Sequence, residues 1–311
     1  MAPGPGVALG GRASTAPSRS CIVRWPGGTD VQSAFRRKRA EESGSSCTAT
    51  GWSSVMEANR KVIGFTKDVT RRLTGVLGDA LLGVYVHGSA AMDAFVYPTS
   101  DIDMLAVSHR ELTDEERRKV AEVLLDPAMP CPGSGLEFSL VTDDSLNIAS
   151  ESPAFEVHIC TVPAKRKFVD GRGHPGDPDL VLHYAMCREH GYATFGPPPR
   201  EVFPLIPRDW VLEAMLDELH WAFLNADTTY TILNACRAAQ YAETGMLVSK
   251  FEAGRWAIEQ RHRPMLVQYA LRAHRGKPKM LPTQEHAKWF VDFASERLTA
   301  ALEAEEAAEA D

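Results

Sequence analysis

The chain has 311 residues, of which 44% are hydrophobic and 24% charged, and its formal net charge is −7. This length allows two domains with a sizeable core, and the composition is typical of a globular protein. The negative charge disfavours general nucleic-acid binding and is compatible with a small cationic ligand. The sequence contains no run of about 18 apolar residues, which argues against a membrane span. Its six cysteines form no CxxC pair, which argues against a zinc site or disulfide scaffold and favours a reducing cytoplasm.

The first part of the chain is predicted to be a disordered extension. Residues 1–55 are rich in Gly, Pro, Ser and Ala and show no sustained apolar period. The segment also lacks the apolar core of a secretory signal. A helix is then predicted from Met56 to about Asp79, because apolar residues recur there at helical spacing.

A Gly-Ser turn follows the first predicted strand. The apolar run from Leu81 to Val86 predicts a buried strand, and Gly88 and Ser89 come directly after His87. Glycine lets the backbone approach a neighbour closely, and a short helix opened by Ser89 would direct free N–H groups toward an anion. This pattern favours a phosphate-binding turn.

Two aspartates precede the next apolar run. Asp101 and Asp103 lie just before Met104–Val107, which predicts the end of a second strand. Residues two apart on a strand share a face, with about 6.6 Å between their Cα atoms. Carboxylates at this spacing can hold two magnesium ions about 4 Å apart, the arrangement used for in-line attack on phosphorus. The Gly-Ser turn and the aspartates together predict a triphosphate and metal site.

The following elements complete a predicted α/β unit over residues 56–165. An amphipathic helix is predicted from Thr113, a good N-cap residue, to Leu125. Two more strands are predicted at Leu136–Val141 and Ala154–Cys160.

The rest of the chain is predicted to be mainly helical. Residues 166–207 predict a linker that contains one helix, from Asp179 to about Gly191. Residues 208–305 predict a helical bundle domain, and residues 306–311 predict an acidic, solvated tail. The predicted helices of the bundle are Asp209–Leu224, Thr228–Glu243, Phe251–Gln260, Pro264–His274 and Gln284–Glu305.

Two glutamates are candidates for a third carboxylate. Glu156 lies in an otherwise apolar strand, where a charged side chain is costly unless it has a partner, and it shares a predicted face with His158. Glu137 shows the same alternation in its own strand, between Leu136 and Phe138. The alternation by itself does not separate the two.

The motifs resemble those of a known family. The His-Gly-Ser-Ala motif at residues 87–90 and the Ser-Asp-Ile-Asp motif at residues 100–103 resemble the nucleotidyltransferase superfamily. Within it they are most similar to the aminoglycoside adenylyltransferases that modify streptomycin and spectinomycin. The resemblance covers about residues 75–260, and its later motifs are Arg188-Glu189-His190, Gly196-Pro197, Phe203, Pro207, Asn234-Ala235-Cys236-Arg237, Gly245, Ser249-Lys250 and Gly254-Arg255-Trp256-Ala257. It implies an α/β nucleotidyltransferase domain with a mixed sheet, followed by an all-α helical bundle domain.

The resemblance also implies a reaction, which is transfer of AMP from MgATP to a hydroxyl of a cationic antibiotic, with release of pyrophosphate. Asp101 and Asp103 would hold two magnesium ions, with Glu156 as a third ligand. Glu156 would also be the base that takes the proton from the attacking hydroxyl. Gly88 and Ser89 would cradle the phosphates of ATP.

Further residues are implied in the second domain. Arg237 and Lys250 would reach the ATP phosphates, because the departing pyrophosphate needs cationic groups. Trp221 and Asp227 match the substrate-facing region of the family, where a flat apolar wall and a carboxylate suit a cationic acceptor. Members that accept streptomycin carry a tryptophan soon after the catalytic glutamate. This chain has none there, which leaves spectinomycin or another aminocyclitol more open.

We therefore expect a cytoplasmic, monomeric adenylyltransferase that gives antibiotic resistance and binds neither nucleic acid nor membrane. Two alternatives remain open. The acceptor could be another small alcohol or a protein hydroxyl, or the protein could bind nucleotide without catalysis. The sequence contains no Walker loop, no kinase catalytic motif and no Gly-x-Ser-x-Gly motif.

Overall fold

The computed structural model describes residues 49–147 and 149–310. Most of the predicted disordered extension, residues 1–48, lies outside the described residues. The first helix, α1, covers Ala49–Leu77 and thus begins before the predicted start at Met56. None of the helices in the described part of the chain is both long and apolar enough to cross a membrane.

A mixed sheet forms the centre of the first domain. Its strands are β1 (Leu81–His87), β2 (Ile102–Ser108), β3 (Leu136–Thr142), β4 (Val157–Cys160), β5 (Lys167–Asp170) and β6 (Tyr192–Phe195). Their order across the sheet is β5-β4-β3-β2-β1-β6. β2 and β3 are parallel, and every other neighbouring pair is antiparallel. The predicted mixed sheet is confirmed.

The predicted linker is wrong in part, because it contributes two strands of this sheet. β5 pairs with β4, and β6 pairs with β1. Each has only four residues, so neither shows enough alternation to be recognised in the sequence. The sheet therefore continues beyond residue 165, as far as Phe195.

Helices cover the two faces of the sheet. They are α2 (Gly88–Ala91), α3 (Asp114–Leu124), α4 (Asp143–Asn147), α5 (Asp179–His190) and α6 (Pro199–Val202). α3 begins as predicted, because the Thr113 hydroxyl accepts a hydrogen bond from Glu116 N and the Glu116 carboxylate accepts one from Thr113 N. This reciprocal pair is a capping box.

The bundle consists of α7 (Arg208–Asn225), α8 (Thr228–Thr244), α9 (Lys250–Glu259), α10 (Pro264–His274) and α11 (Gln284–Ala310). The predicted bounds of the first four helices are correct to within a residue. α11 continues beyond its predicted end at Glu305, as far as Ala310 in the predicted acidic tail. Alanine and glutamate dominate this last segment, and both are strong helix formers.

α5 belongs to two hydrophobic cores. Leu180 and Tyr184 pack with β-strand residues such as Leu105 on one face of the sheet. Leu182 and Ala185, on the other side of the helix, pack against the core of the bundle. α5 also contacts α7 directly. The helix therefore joins the sheet to the bundle and holds the two domains next to each other.

Candidate active site

Three carboxylates meet where β2 and β3 begin. Because the two strands are parallel neighbours, Asp103 pairs with Glu137, and Asp101 lies two residues before Asp103. One oxygen from each of the three side chains lies within 4.8 Å of the others. Carboxylate oxygens in such a group are the ligands that Mg²⁺ prefers. The residues present therefore fit the predicted magnesium site, with Glu137 as the third carboxylate.

The charges around this group affect Asp103 most. Burial, together with the neighbouring carboxylates of Asp101 and Glu137, raises the pKa of Asp103 well above its usual value. The positive charges of Lys250 and Arg237 act in the opposite direction. Repulsion among the three carboxylates makes this an environment in which a bound cation is strongly favoured.

The predicted Gly-Ser turn lies against the same carboxylates. His87 at the end of β1 pairs with Asp103, and Gly88 follows with a φ of +61°. An added Cβ at this position would overlap the Asp103 carboxylate, so only glycine fits here. The Ser89 Oγ atom is buried and has no hydrogen-bond partner within the described residues. An unpaired buried hydroxyl beside a carboxylate group fits a site that receives a polar ligand.

Glu156 does not join the aspartates, so its predicted position is wrong. Its Oε2 atom accepts hydrogen bonds from Leu112 N at 2.7 Å and from an Arg117 terminal nitrogen at 2.6 Å. The Glu156 and Arg117 side chains are only 9% and 7% exposed. Glu156 thus has the charged partner that its burial requires, and this partner is on α3 rather than among the carboxylates of Asp101, Asp103 and Glu137.

The strand register explains this position. β3 and β4 are antiparallel, and Glu137 pairs with Cys160 while Leu140 pairs with Val157. Glu156 therefore lies opposite the far end of β3, about four residues or 13 Å along the strand from Glu137. Alternation in the sequence shows on which face of a strand a residue lies. Only the register between strands shows which residues of two neighbouring strands lie side by side.

Arg237 lies on α8, and its charge interacts with that of Asp103. Its NH1 atom donates to Asn234 Oδ1 at 3.3 Å, and its NH2 atom contacts Met186 Sδ at 3.8 Å. Its Nε atom is buried without a partner in the described part of the chain. Burial lowers the pKa of Arg237, whereas the nearby Glu218 and Asp103 oppose this shift. The guanidinium group is therefore held by weak contacts and has donors left to bind an anion.

Lys250 is the first residue of α9. Its Nζ atom lies 3.7 Å from the centre of the Tyr230 ring. Burial and the neighbouring Arg237 lower the pKa of Lys250 to about 8, while the charges of Asp101 and Asp103 oppose this shift. The structure thus brings both predicted cations of the bundle close enough to act on the carboxylates of the sheet.

The two predicted substrate residues lie near the junction of α7 and α8. Trp221 is 42% exposed, and the Nζ atom of Lys165 lies 4.9 Å from its ring centre. The same Nζ atom lies 5.9 Å from the Tyr230 ring centre. Asp227 is exposed and is the N-cap of α8, since its Oδ1 atom accepts from Tyr230 N at 2.9 Å. Its carboxylate therefore already has a structural task.

Glu218 is a residue of this region that the sequence analysis missed. Its Oε1 atom accepts from Tyr230 Oη at 2.7 Å and from Asn234 Nδ2 at 2.8 Å, and burial raises the pKa of its carboxyl group. A signal was present, because Glu218 follows the helical spacing of the buried Val211 and Met215. A carboxylate on an apolar helix face indicates a partner.

Known proteins resemble this chain over both its sheet and its helical bundle. Residues 201–297 match the family model "Aminoglycoside adenylyltransferase, C-terminal domain". The chain is 26% identical over 257 residues to an aminoglycoside (3'') (9) adenylyltransferase of Shigella flexneri, which covers 75% of this chain and 95% of the relative. It is 27% identical over 241 residues to a protein of the same name from Klebsiella pneumoniae, which covers 72% and 89%. The chain is therefore similar to aminoglycoside adenylyltransferases over most of its length.

A solved structure supports the fold. The chain is similar, with a TM-score of 0.58 and 19% identity, to a spectinomycin adenyltransferase from Enterococcus faecialis solved with ATP and spectinomycin. The match covers 76% of this chain and 99% of that one. The solved structure confirms the predicted fold class. The relatives confirm the predicted resemblance to this family and the enzyme class, which is nucleotidyltransferase.

Proposed function

We propose that this enzyme transfers AMP from ATP to a hydroxyl group of a cationic aminocyclitol or aminoglycoside antibiotic and thereby gives resistance to it. One observation carries the proposal. Asp101, Asp103 and Glu137 gather at the start of two strands, and Arg237 and Lys250 act on Asp103 from the bundle. Opposed anionic and cationic groups suit a metal-bound triphosphate, whose own charges are of both kinds.

The three carboxylates would hold Mg²⁺, as ligands of the type this ion prefers. When bound, magnesium neutralises phosphate charge and orients the attacking and leaving oxygens. The spacing of Asp101 and Asp103 predicts two magnesium ions, and this number stays a prediction. Gly88 lets the backbone come close to the phosphates, and the Ser89 hydroxyl would donate to one of their oxygens.

Glu137 takes the role of general base in this proposal. The acceptor hydroxyl oxygen forms a bond to the α-phosphorus of ATP while the bond between that phosphorus and the bridging oxygen of pyrophosphate breaks. The hydroxyl proton passes to the Glu137 carboxylate, and the electron pair of the broken bond leaves with pyrophosphate. Arg237 and Lys250 stabilise the charge that develops on this leaving group.

The acceptor would bind beside Trp221, Tyr230 and Asp227. Aromatic faces attract ammonium and guanidinium groups, and an exposed carboxylate adds charge complementarity. The location in the cytoplasm and the monomeric state remain predictions.

The direct test is to incubate the protein with MgATP and a panel that includes spectinomycin and streptomycin. We expect a mass gain of one AMP on at least one acceptor, with equimolar pyrophosphate. Asp103→Asn should abolish the transfer while the circular dichroism spectrum is unchanged, because it removes a ligand charge. Asp144→Asn, the same change at an exposed aspartate, is the control and should keep full activity.

Two results would contradict the proposal. One is full turnover by Asp103→Asn. The other is a wild-type protein that binds MgATP but transfers AMP to no acceptor of the panel, which would instead favour a nucleotide-binding protein without catalysis.

A further inference from the structure

A single carboxylate in the bundle connects to both cations of the proposed nucleotide site. Glu218 on α7 accepts two hydrogen bonds at the same oxygen, from Tyr230 Oη at 2.7 Å and from Asn234 Nδ2 at 2.8 Å. Both donors belong to α8. Hydrogen bonds to a charged acceptor are about twice as strong as neutral ones, so these two side chains are firmly oriented.

The first connection leads to Lys250. The Tyr230 ring lies between Glu218, which holds its hydroxyl, and the Lys250 Nζ atom, 3.7 Å from the ring centre. An ammonium group over an aromatic face is attracted by the ring quadrupole. Because Glu218 fixes where the ring lies, it also fixes where this face holds the ammonium group.

The second connection leads to Arg237. Asn234 gives its NH₂ group to Glu218, and this leaves its Oδ1 atom to accept from Arg237 NH1 at 3.3 Å. A carboxylate accepts but does not donate, so Glu218 selects this orientation of the amide. The other described contact of Arg237 is the sulfur of Met186 at 3.8 Å, which is a weak acceptor.

We propose that Glu218 is a positioning residue of the nucleotide site. Through Tyr230 it places Lys250, and through Asn234 it places Arg237, so that the two cations receive one triphosphate together. Glu218 does not touch the reacting atoms in this role. The inference rests on the proposed function, since it assigns the two cations to the phosphates of ATP.

The negative charge of Glu218 makes the role testable. As a charge, Glu218 opposes the binding of a triphosphate, so its removal alone would strengthen binding. As an acceptor that orients two side chains, its removal weakens binding. Glu218→Gln removes the charge and keeps an oxygen acceptor, whereas Glu218→Leu removes both at similar side-chain size.

The experiment measures the Kd of MgATP for the full chain by calorimetry without acceptor, followed by kcat and both KM values. For Glu218→Leu we expect about tenfold weaker MgATP binding, comparable to the loss of one charge-assisted hydrogen bond. For Glu218→Gln we expect rescue to within about threefold of wild type. The KM for ATP should rise and the KM for the acceptor should stay unchanged.

Two further variants separate positioning from a general effect on packing. Tyr230→Phe keeps the ring and removes only the bond to Glu218, so it should weaken MgATP binding less than Glu218→Leu. It should also add little to the effect of Glu218→Leu, because both changes break the same connection. Thr231→Val is the control, since the Thr231 hydroxyl bonds only to backbone oxygens of Ala222 and Asp227. It should lower thermal stability without changing the Kd of MgATP.

Three outcomes would overturn the inference and leave the proposed function intact. The first is normal MgATP binding by folded Glu218→Leu, and the second is equal weakening of MgATP binding by Glu218→Gln and Glu218→Leu. The third is a fully additive effect of Glu218→Leu and Tyr230→Phe on the Kd of MgATP. Should Glu218→Leu not fold, unchanged MgATP binding by Tyr230→Phe would overturn it. Failure of the wild-type chain to bind MgATP would overturn the proposed function as well, which distinguishes the two failures.

Discussion

Glu137 and Glu156 lie in similar sequence contexts but have different neighbours in the fold. The Glu137 carboxylate lies beside those of two aspartates, and Glu156 forms a buried ion pair with Arg117. We expect Glu137→Gln to lower kcat by about 10²- to 10⁴-fold, the usual contribution of a general base, with little change in stability. Glu156→Gln should instead lower the free energy of unfolding by about 3 kcal/mol, because it leaves Arg117 buried beside a neutral partner.

Turnover and urea unfolding, measured on the same preparations, check both expectations. Each variant serves as the control for the other, because Glu137→Gln and Glu156→Gln both change one carboxylate to an amide. Loss of kcat in Glu156→Gln without loss of stability would contradict the assignment of the base.

We expect Lys250 to give the enzyme a pH dependence. Its pKa is lowered to about 8 in the free protein by burial and by Arg237. The Lys250 side chain is a charged ammonium group below this pH and a neutral amine above it. The kcat/KM for ATP should therefore fall as the pH rises through 8. Lys250→Arg keeps its charge at these pH values and should be free of this fall up to about pH 10. Initial rates at low ATP between pH 6.5 and 9.5 provide the measurement, and a flat wild-type profile would contradict the expectation.

At this scale the sequence predicts what depends on local spacing. Asp101 and Asp103 are two apart on a strand, so their common face follows from the chain itself. The third carboxylate depends on two strand registers that the sequence does not reveal. The pairing of β2 with β3 places Glu137 beside Asp103, and the pairing of β3 with β4 places Glu156 away from it, so the prediction of Glu156 is wrong. Glu218 depends on a contact between two helices, although its place on an apolar helix face was a usable signal.

Two capping boxes of the same type begin α3 and α9. Thr113 pairs with Glu116 at the first, and Ser249 pairs with Glu252 at the second. Loss of either cap should cost about 1 kcal/mol of stability. Only the second precedes Lys250, so Ser249→Ala should also raise the KM for ATP, whereas Thr113→Ala should not.

Thermal unfolding and steady-state kinetics of the two variants check this pair. The expectation fails if both variants raise the KM for ATP equally, since the effect would then come from global stability and not from the position of Lys250.

Long helices with a sustained apolar repeat were predicted well, and the short strands were not. The helices α7 to α10 match the predicted bounds because apolar residues recur along them over several turns. β5 and β6 have four residues each and depend on pairing with β4 and β1. Such short strands are stabilised by their pairing with neighbouring strands, so local patterns do not identify them.

The two domains meet around Lys165, which extends from the sheet toward aromatic rings of the bundle. Its ammonium group lies 4.9 Å from the Trp221 ring centre and 5.9 Å from that of Tyr230. It therefore occupies the aromatic faces that we propose for a cationic acceptor, and its charge would repel that acceptor. We expect Lys165→Gln to lower the KM for a guanidinium-bearing acceptor such as streptomycin by about two- to fivefold, in line with one exposed cation–π contact.

Lys167→Gln removes a nearby exposed lysine and serves as the control for charge alone. The acceptor KM values of wild type, Lys165→Gln and Lys167→Gln are compared at saturating MgATP. Equal changes in the two variants, or no change in either, would contradict a specific role for Lys165.

The double packing of α5 has a consequence for how the molecule loses its structure. One side of this helix completes the core of the sheet and the other side supports the core of the bundle. Unfolding of either domain alone would remove packing contacts from the other domain and expose its apolar side chains to water. Many two-domain proteins melt in separate steps, but calorimetry of this enzyme should give a single cooperative peak over both domains.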